Sequence, residues 1–208
     1  MKGCHENRPE VSVVIPVYNA EKYLRQTMNY LLYQTLEEIE FIFVDDGSSD
    51  RSVTIIQEYM EQYKDKIYLY HTDHTGPGGA RNKGIEHARA DYIGFADADD
   101  YMEYDMYEKM LYVAKKENHD LVYTPYYLVR DDKKRIHGRL NQPIEKNQLI
   151  FHGEVAFWSK LIHKDLLHQT GKIPQTARRL PRYWLSEALL SPRDFRGNRL
   201  RRGSSGTR

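Results

Sequence analysis

The residues best suited to chemistry lie in Gly94–Met102, GFADADDYM, where an apolar stretch runs into Asp97, Asp99 and Asp100. Side chains two apart on an extended backbone share a side. An extended reading therefore points Asp97 and Asp99 one way and Ala98 and Asp100 the other. Two carboxylates so placed repel, and one keeps a proton unless positive charge lies near. A hard divalent cation, Mg²⁺ or Mn²⁺, meets that need, since it takes carboxylate oxygens and shares its other positions with water and phosphate. The competing reading is an acidic, solvated turn with Asp residues capping a helix.

A second acidic stretch, VDDGSSD, spans 44–50. Asp and Gly there make a strand-to-helix turn, and the Asp46 carboxylate is also an acceptor for a base imide N–H or a ribose hydroxyl. A glycine-rich stretch, GPGGARNKG, fails both phosphate-loop templates. Arg81 stands where the dinucleotide fingerprint needs its last glycine, and Ile85 stands where a Walker loop needs lysine. Its glycines permit a tight turn and close backbone approach. Arg81 is either a phosphate partner or a surface ion pair.

Alternating elements position these clusters. VSVVIPV (11–17), EFIFV (40–44), IYLYH (67–71), YIGFA (92–96) and DLVYTPYYLV (120–129) read as strands. Between them, 21–34 carries Leu24, Met28, Leu31 and Leu32 at helical spacing. A helix capped by Asp50 carries Val53, Ile56, Met60 and Tyr63. Residues 75–84 turn into a helix reaching about Arg89, and Asp105 with Glu108 resembles a capping box before Met106, Met110, Leu111 and Ala114. The order predicts an α/β layered domain with a mainly parallel sheet, whose ligands bind at the carboxyl ends of the strands. Tyr18-Asn19, Asp45-Asp46 and Asp97-Asp99-Asp100 all fall at such ends.

The net charge of +1 in 208 residues argues against a nucleic-acid partner. The single cysteine, Cys4, excludes an internal disulfide and a Cys-rich zinc site. The nine histidines lack ligand spacing, with His71 and His74 expected to be solvated or packed. There is no Gly-x-Ser-x-Gly elbow. The polar N-terminus does not read as a signal peptide, and no apolar stretch reaches the ~18 residues of a membrane span. These features place the chain in the cytoplasm, with membrane contact confined to its surface.

In order and spacing, VSVVIPVYNAEKYL, FIFVDDGSSDRS, GPGGARNKGIEHARADYIGFADADDYM and AFWSKLIHKDLL resemble glycosyltransferase family 2 over about 1–172. The resemblance implies the GT-A fold, a Rossmann-like three-layer sandwich, and inverting transfer from a nucleotide-sugar to an acceptor hydroxyl. It implies a nucleotide pocket of Pro16, Tyr18, Asn19, Glu21, Asp45, Asp46, Arg81, Asp97 and Ala98, with Asp46 on a base that is usually uracil. Asp97 and Asp99 would hold Mg²⁺ or Mn²⁺. The implied partners are a UDP-sugar and a saccharide or lipid-linked saccharide acceptor, in bacterial surface polysaccharide synthesis. The family's base, often in a Glu-Asp pair after a Gly-Lys-aromatic-Pro segment, is not found after Gly171. Glu187 is the weak candidate.

Three regions are expected: a disordered 1–10, a domain over 11–172, and an atypical tail over 173–208. The tail holds nine Arg, no Lys and two acids, a net of +7 against −6 for residues 1–172. That shift points to an altered reading frame, a truncation or an engineered remnant, or else to a divergent basic tail able to sit on anionic lipid. The rival functions are a nucleotide-sugar-binding module without a base and, ranked low, a nucleotidyltransferase. The second would need a Gly-rich cationic loop after the first strand, where Pro16-Val17-Tyr18-Asn19 stands.

Overall fold

A computed structural model of the chain describes residues 8–124, 126–130, 133–137 and 157–173. Strands β1 (Val11–Val17), β2 (Ile39–Asp45), β3 (Ile67–His71) and β4 (Tyr92–Phe95) alternate with helices α1 (Glu21–Leu32), α2 (Ser52–Gln62) and α3 (Gly76–His87). Helix α4 (Met106–Glu117) leads to β5 (Leu121–Tyr123), β6 (Tyr126–Arg130) and β7 (Lys133–His137). Strand β8 (Lys160–His163) and helix α5 (Lys164–Thr170) follow.

The main sheet runs β3-β2-β1-β4-β8-β5. Its first four strands are parallel, and β8 lies antiparallel between β4 and β5. The continuous apolar runs follow from burial on both faces. Val13, Ile15, Phe41 and Phe43 pack with Leu24, Met28, Ile56 and Leu111 on one side, while Val14, Ile42 and Val44 pack with Ala80, Ile85 and Leu166 on the other. The chain leaves β1 towards β2 and returns through α3 to β4 on the other side of β1. Order reverses there, the place where open α/β sheets bind ligands. Pro16 is tolerated in this central strand because the β4 ladder stops at Val14–Phe95, leaving only β2 beside it.

Several expectations are corrected. The run over 120–129 is two elements: β5 joins the main sheet, while β6 pairs with β7 in a separate ribbon. Ile55 joins Ile56 as the buried pair of α2, and Tyr63 is exposed. The Asp105 side chain caps no amide. It pairs instead with Lys109, and Glu108 accepts a hydrogen bond from Thr35 Oγ1 (2.5 Å). Of the expected disordered 1–10, residues 1–7 lie outside the described residues, while Arg8 bonds Asp91 (2.6 Å) and the Glu10 amide donates to Glu38 O (2.7 Å). Ile173 is buried, and its backbone exchanges hydrogen bonds of 2.9 and 2.7 Å with the Asn82 amide. It therefore belongs to the domain. The rest of the expected tail, 174–208 with Glu187, lies outside the described residues.

Helix α3 can approach the sheet because Gly84 faces Val14. A Cβ at Gly84 would stand 2.3 Å from Val14 Cγ1 in a fully buried contact. Gly84→Ala should therefore lower stability by about 1–2 kcal/mol, overpacking outweighing the gain in helix propensity. Urea denaturation measures it, and an unchanged midpoint would show that the helix can shift freely.

Candidate functional site

The three polar clusters meet at the carboxyl ends of β2, β1 and β4, which are neighbours in the sheet. At β2, Asp45 and Asp46 are buried. Asp45 receives the Ser48 amide (3.3 Å) and lies 3.4 Å from His71 Nδ1. Asp46 holds the following turn. Its Oδ1 accepts from Thr72 Oγ1 (2.8 Å), the Thr75 amide (2.7 Å) and Thr75 Oγ1 (3.1 Å), and its Oδ2 accepts from the Gly76 amide (2.8 Å). A carboxylate offers about four lone-pair sites, so Oδ2 keeps one direction for a ligand.

At β1, Tyr18 is 57% exposed and meets His74 edge-on, with 5.7 Å between ring centroids. His74 has φ 51°, and its ring lies over Gly47, where a Cβ would come within 2.8 Å. Gly47, with φ 82°, is thus required twice, by its backbone and by this contact. Asn19 and Glu21 knit two loops together. The Asn19 amide donates to Ser48 Oγ (3.0 Å), and its Oδ1 accepts from the Ser49 amide (2.8 Å). Glu21 and Asp50 cap across the gap between α1 and α2. The Arg51 amide donates to Glu21 Oε2, and the Glu21 amide donates to Asp50 Oδ2, both at 2.9 Å. Asp50 also takes the Ser52 amide, the first of α2, at 2.9 Å, although the N-cap position itself falls to Arg51.

Burial works against the Asp50 charge, but the hydrogen bonds from Ser52 and the Glu21 amide outweigh it and hold its pKa below the ordinary value. Asp50→Ala should cost about 1 kcal/mol at neutral pH. A depressed folded pKa stabilises above the unfolded value and loses that effect as acid protonates the folded group. The gap between wild type and variant in urea should therefore close as pH falls below about 3.9. A gap that persists into strong acid would show that charge contributes nothing to the cap.

At β4 the acidic run is a turn, which corrects the extended reading. The Asp100 amide donates to Asp97 O (3.2 Å), and Thr27 Oγ1 donates to Ala98 O (2.9 Å). Asp97 and Asp100 therefore share the inner side, Ala98 is buried, and Asp99 is exposed. Arg81, buried in α3, donates to Asp97 Oδ1 (2.6 Å), with its guanidinium 4.4 Å from the Phe157 ring centroid. Burial pulls the Arg81 pKa down against the attraction of Asp97. Burial also raises Asp97, with Arg81 opposing it. Asp100 is pushed up to about 7 by burial and then by Asp97 and Asp99, and its buried Oδ2 has no hydrogen-bond partner among the described residues. The glycine run before Arg81 proves to be the first turn of α3, with Pro77 at its start.

Carboxylate oxygens have the chemistry a hard divalent cation takes: Asp97 pairs with Arg81, Asp99 is exposed, and the buried Asp100 Oδ2 has no hydrogen-bond partner among the described residues. Among the described residues no group of three or more His, Cys, Asp and Glu is arranged to hold a metal alone, so a ligand phosphate would have to complete the shell. A cavity of ≈ 860 Å³ lined by Glu38, Lys66, Tyr68 and Arg89 lies at the opposite, amino ends of the strands, away from these acids.

The model of glycosyl transferase family 2 matches residues 12–179. The chain belongs to this family. Among family 2 relatives, EpsH of Bacillus subtilis, named as a glycosyltransferase, is 36% identical over 168 residues, 76% of this chain and 48% of EpsH. TuaG of B. subtilis, named for teichuronic acid biosynthesis, is 36% identical over 126 residues, 60% of this chain and 50% of TuaG. The chain spans about half the length of the curated relatives it matches. Residues 1–349 of S. aureus TarS align with TM-score 0.76 and 20% identity over 91% of this chain and 58% of that TarS chain, which confirms the GT-A fold. TarS has also been solved with UDP and with UDP-GlcNAc. A Pyrobaculum calidifontis mannosyltransferase, solved with GDP-Man and Mn²⁺, aligns with TM-score 0.66 and 17% identity over 87% of this chain and 52% of its own.

Sequence reasoning missed Thr72 and Thr75, and named His74 only as a residue near a strand end, solvated or packed; it packs on Tyr18 and over Gly47. Among the described residues no helix is long and apolar enough to cross a membrane.

Proposed function

We propose that this family 2 chain binds a nucleoside diphosphate sugar, a UDP-sugar by preference, and takes part in inverting transfer of its sugar to an acceptor hydroxyl in bacterial surface polysaccharide synthesis. One observation carries this: Asp46, Tyr18 and the Asp97–Asp100 turn, from three separate segments, converge on the switch-point edge of the sheet. The nucleotide ligands of TarS and the teichuronic acid role in TuaG's name support it.

In this reading Asp46 takes the base imide N–H on the open direction of Oδ2, beside Tyr18 and His74. Pro16, Asn19, Glu21 and Asp45 shape the pocket wall by fixing the two loops, and Ala98 forms part of the nucleotide floor. Arg81 holds Asp97 in place and adds positive charge near the phosphates. Asp97 and Asp99 would hold Mg²⁺ or Mn²⁺, which as a Lewis acid neutralises charge on the departing diphosphate. Inversion requires the acceptor oxygen to attack opposite that leaving group while a base removes its proton. Glu187 remains the candidate for that base.

The test is calorimetric titration of UDP with Mn²⁺ and with EDTA, alongside turnover of a UDP-sugar panel. Chelation should weaken UDP binding by about tenfold or more. Equal affinity in both would refute the metal assignment. Metal-dependent binding without transfer or hydrolysis would identify a binding module in place of an enzyme.

A further inference from the structure

His74 stands at the carboxyl edge beside Tyr18 and Asp46, and the polarity of its ring is unspent. Its backbone is left-handed, with φ 51°. That conformation is unfavourable for a residue with a Cβ, and side chains held in it gather at ligand sites. Here the flanking bonds hold it. The Thr75 amide, next in the chain, donates to Asp46 Oδ1 (2.7 Å), and the Gly76 amide donates to Oδ2 (2.8 Å). The ring packs over Gly47, the residue after Asp46, and meets Tyr18 edge-on. Imidazole and carboxylate are therefore neighbours along both loops.

Packing alone does not ask for a histidine. His74 is exposed, and neither ring nitrogen makes a hydrogen bond among the described residues. A neutral imidazole carries one N–H donor and an imidazolium carries two, so either state has a donor to give. The surroundings select what takes it. Asp45 and Asp46 end β2, Asp73 precedes His74, and Asp45 already lies 3.4 Å from His71. Three carboxylates in one corner repel phosphate oxygens, which carry the same sign. A neutral base edge meets no such repulsion. Uracil shows a carbonyl on each side of its imide N–H. An acceptor at Asp46 with a donor beside it matches two adjacent groups of that edge. Cytosine turns a ring lone pair to Asp46 and an amino group to one flank, so the same protein groups meet like with like.

We infer that His74 reads the base, donating a ring N–H to a uracil carbonyl beside the imide that Asp46 accepts. The inference rests on the donor reading above and assigns the residue that, with Asp46, sets its base preference. The test uses the full chain and calorimetric titration, with Mn²⁺ present, of UDP, 2-thio-UDP, 4-thio-UDP and CDP. Sulfur accepts a hydrogen bond more weakly than oxygen, so one of the two thio analogues should bind wild type several-fold less tightly than UDP. CDP should bind more weakly still. His74→Phe keeps an aromatic ring over Gly47 but has no N–H. It should bind UDP about tenfold more weakly than wild type and treat UDP and that thio analogue alike. His74→Asn suits the left-handed backbone and keeps an NH₂ donor, so it should retain more affinity than His74→Phe. UDP binding as tight in His74→Phe as in wild type overturns the inference. So does a wild type indifferent to both sulfur substitutions. A loss of affinity in His74→Phe that leaves the thio discrimination intact also overturns it, since His74 would then only brace the turn. Failure of wild type to bind UDP at all would instead sink the donor reading on which this role depends.

Discussion

Arg81→Met is expected to destabilise the fold by about 3 kcal/mol and to erase the gain in UDP affinity from Mn²⁺. Arg81 is 2% exposed, and its guanidinium is both the hydrogen-bond donor to Asp97 and the cation over Phe157. Removing it leaves Asp97 beside Asp99 and Asp100 with no counter-charge on that side. Breaking a buried pair is costly because the surviving charge is stranded. The cost stays at the low end because the Asp97 side chain is 29% exposed. With Arg81 gone, the one influence lowering the Asp97 pKa against burial is lost, so Asp97 protonates more readily and would be a poorer ligand for the proposed metal. Lysine should not rescue fully, since a point charge cannot copy a planar guanidinium on a ring. Urea denaturation of Arg81→Met, Asp97→Asn and the double variant checks the coupling, and the double variant should recover part of the loss. Additive losses would mean that Arg81 acts through packing on Phe157 alone.

Much of this was legible in the sequence. VSVVIPV and the apolar run around Phe41 could only be strands buried on both faces, and the polar pairs ending them had to lie on one edge once the strands were parallel. What failed depended on contacts distant in sequence or on backbone shape. Period-two alternation holds only while the chain is extended, so the departure from the strand after Phe95 put Asp100 on the inner side with Asp97. The partners of Asn19 and Asp46 lie 26–30 residues away, and spacing along one segment cannot reveal them. Asp105 and Glu108 had the right residue types for a capping box, but Lys109 and Thr35 offered competing partners. The long run before Arg130 contained Pro125, a signal that one ladder could not continue through it.

Asp46→Ala should weaken uridine and UDP alike, by at least about tenfold, and cost about 3 kcal/mol of stability. The carboxylate is 7% exposed and accepts four hydrogen bonds, so its loss strands the Thr75 and Gly76 amides at the entrance to α3. Those amides set the turn that places His74 over Gly47 and beside Tyr18. In the proposed binding mode two routes would run from Asp46 to the nucleoside, one direct through Oδ2 and one through the turn. Asp46→Asn separates them. An amide in the same orientation keeps the Oδ1 bonds, but its NH₂ group can no longer accept from Gly76 or from a base imide. If the direct route operates, uridine affinity should fall in Asp46→Asn while the Tyr18–His74 contact survives in its NMR shifts. If only the turn matters, affinity and those shifts should fall together. A loss confined to the diphosphate, with uridine unaffected, would remove Asp46 from the base pocket, since neither route touches the phosphates without first touching the nucleoside.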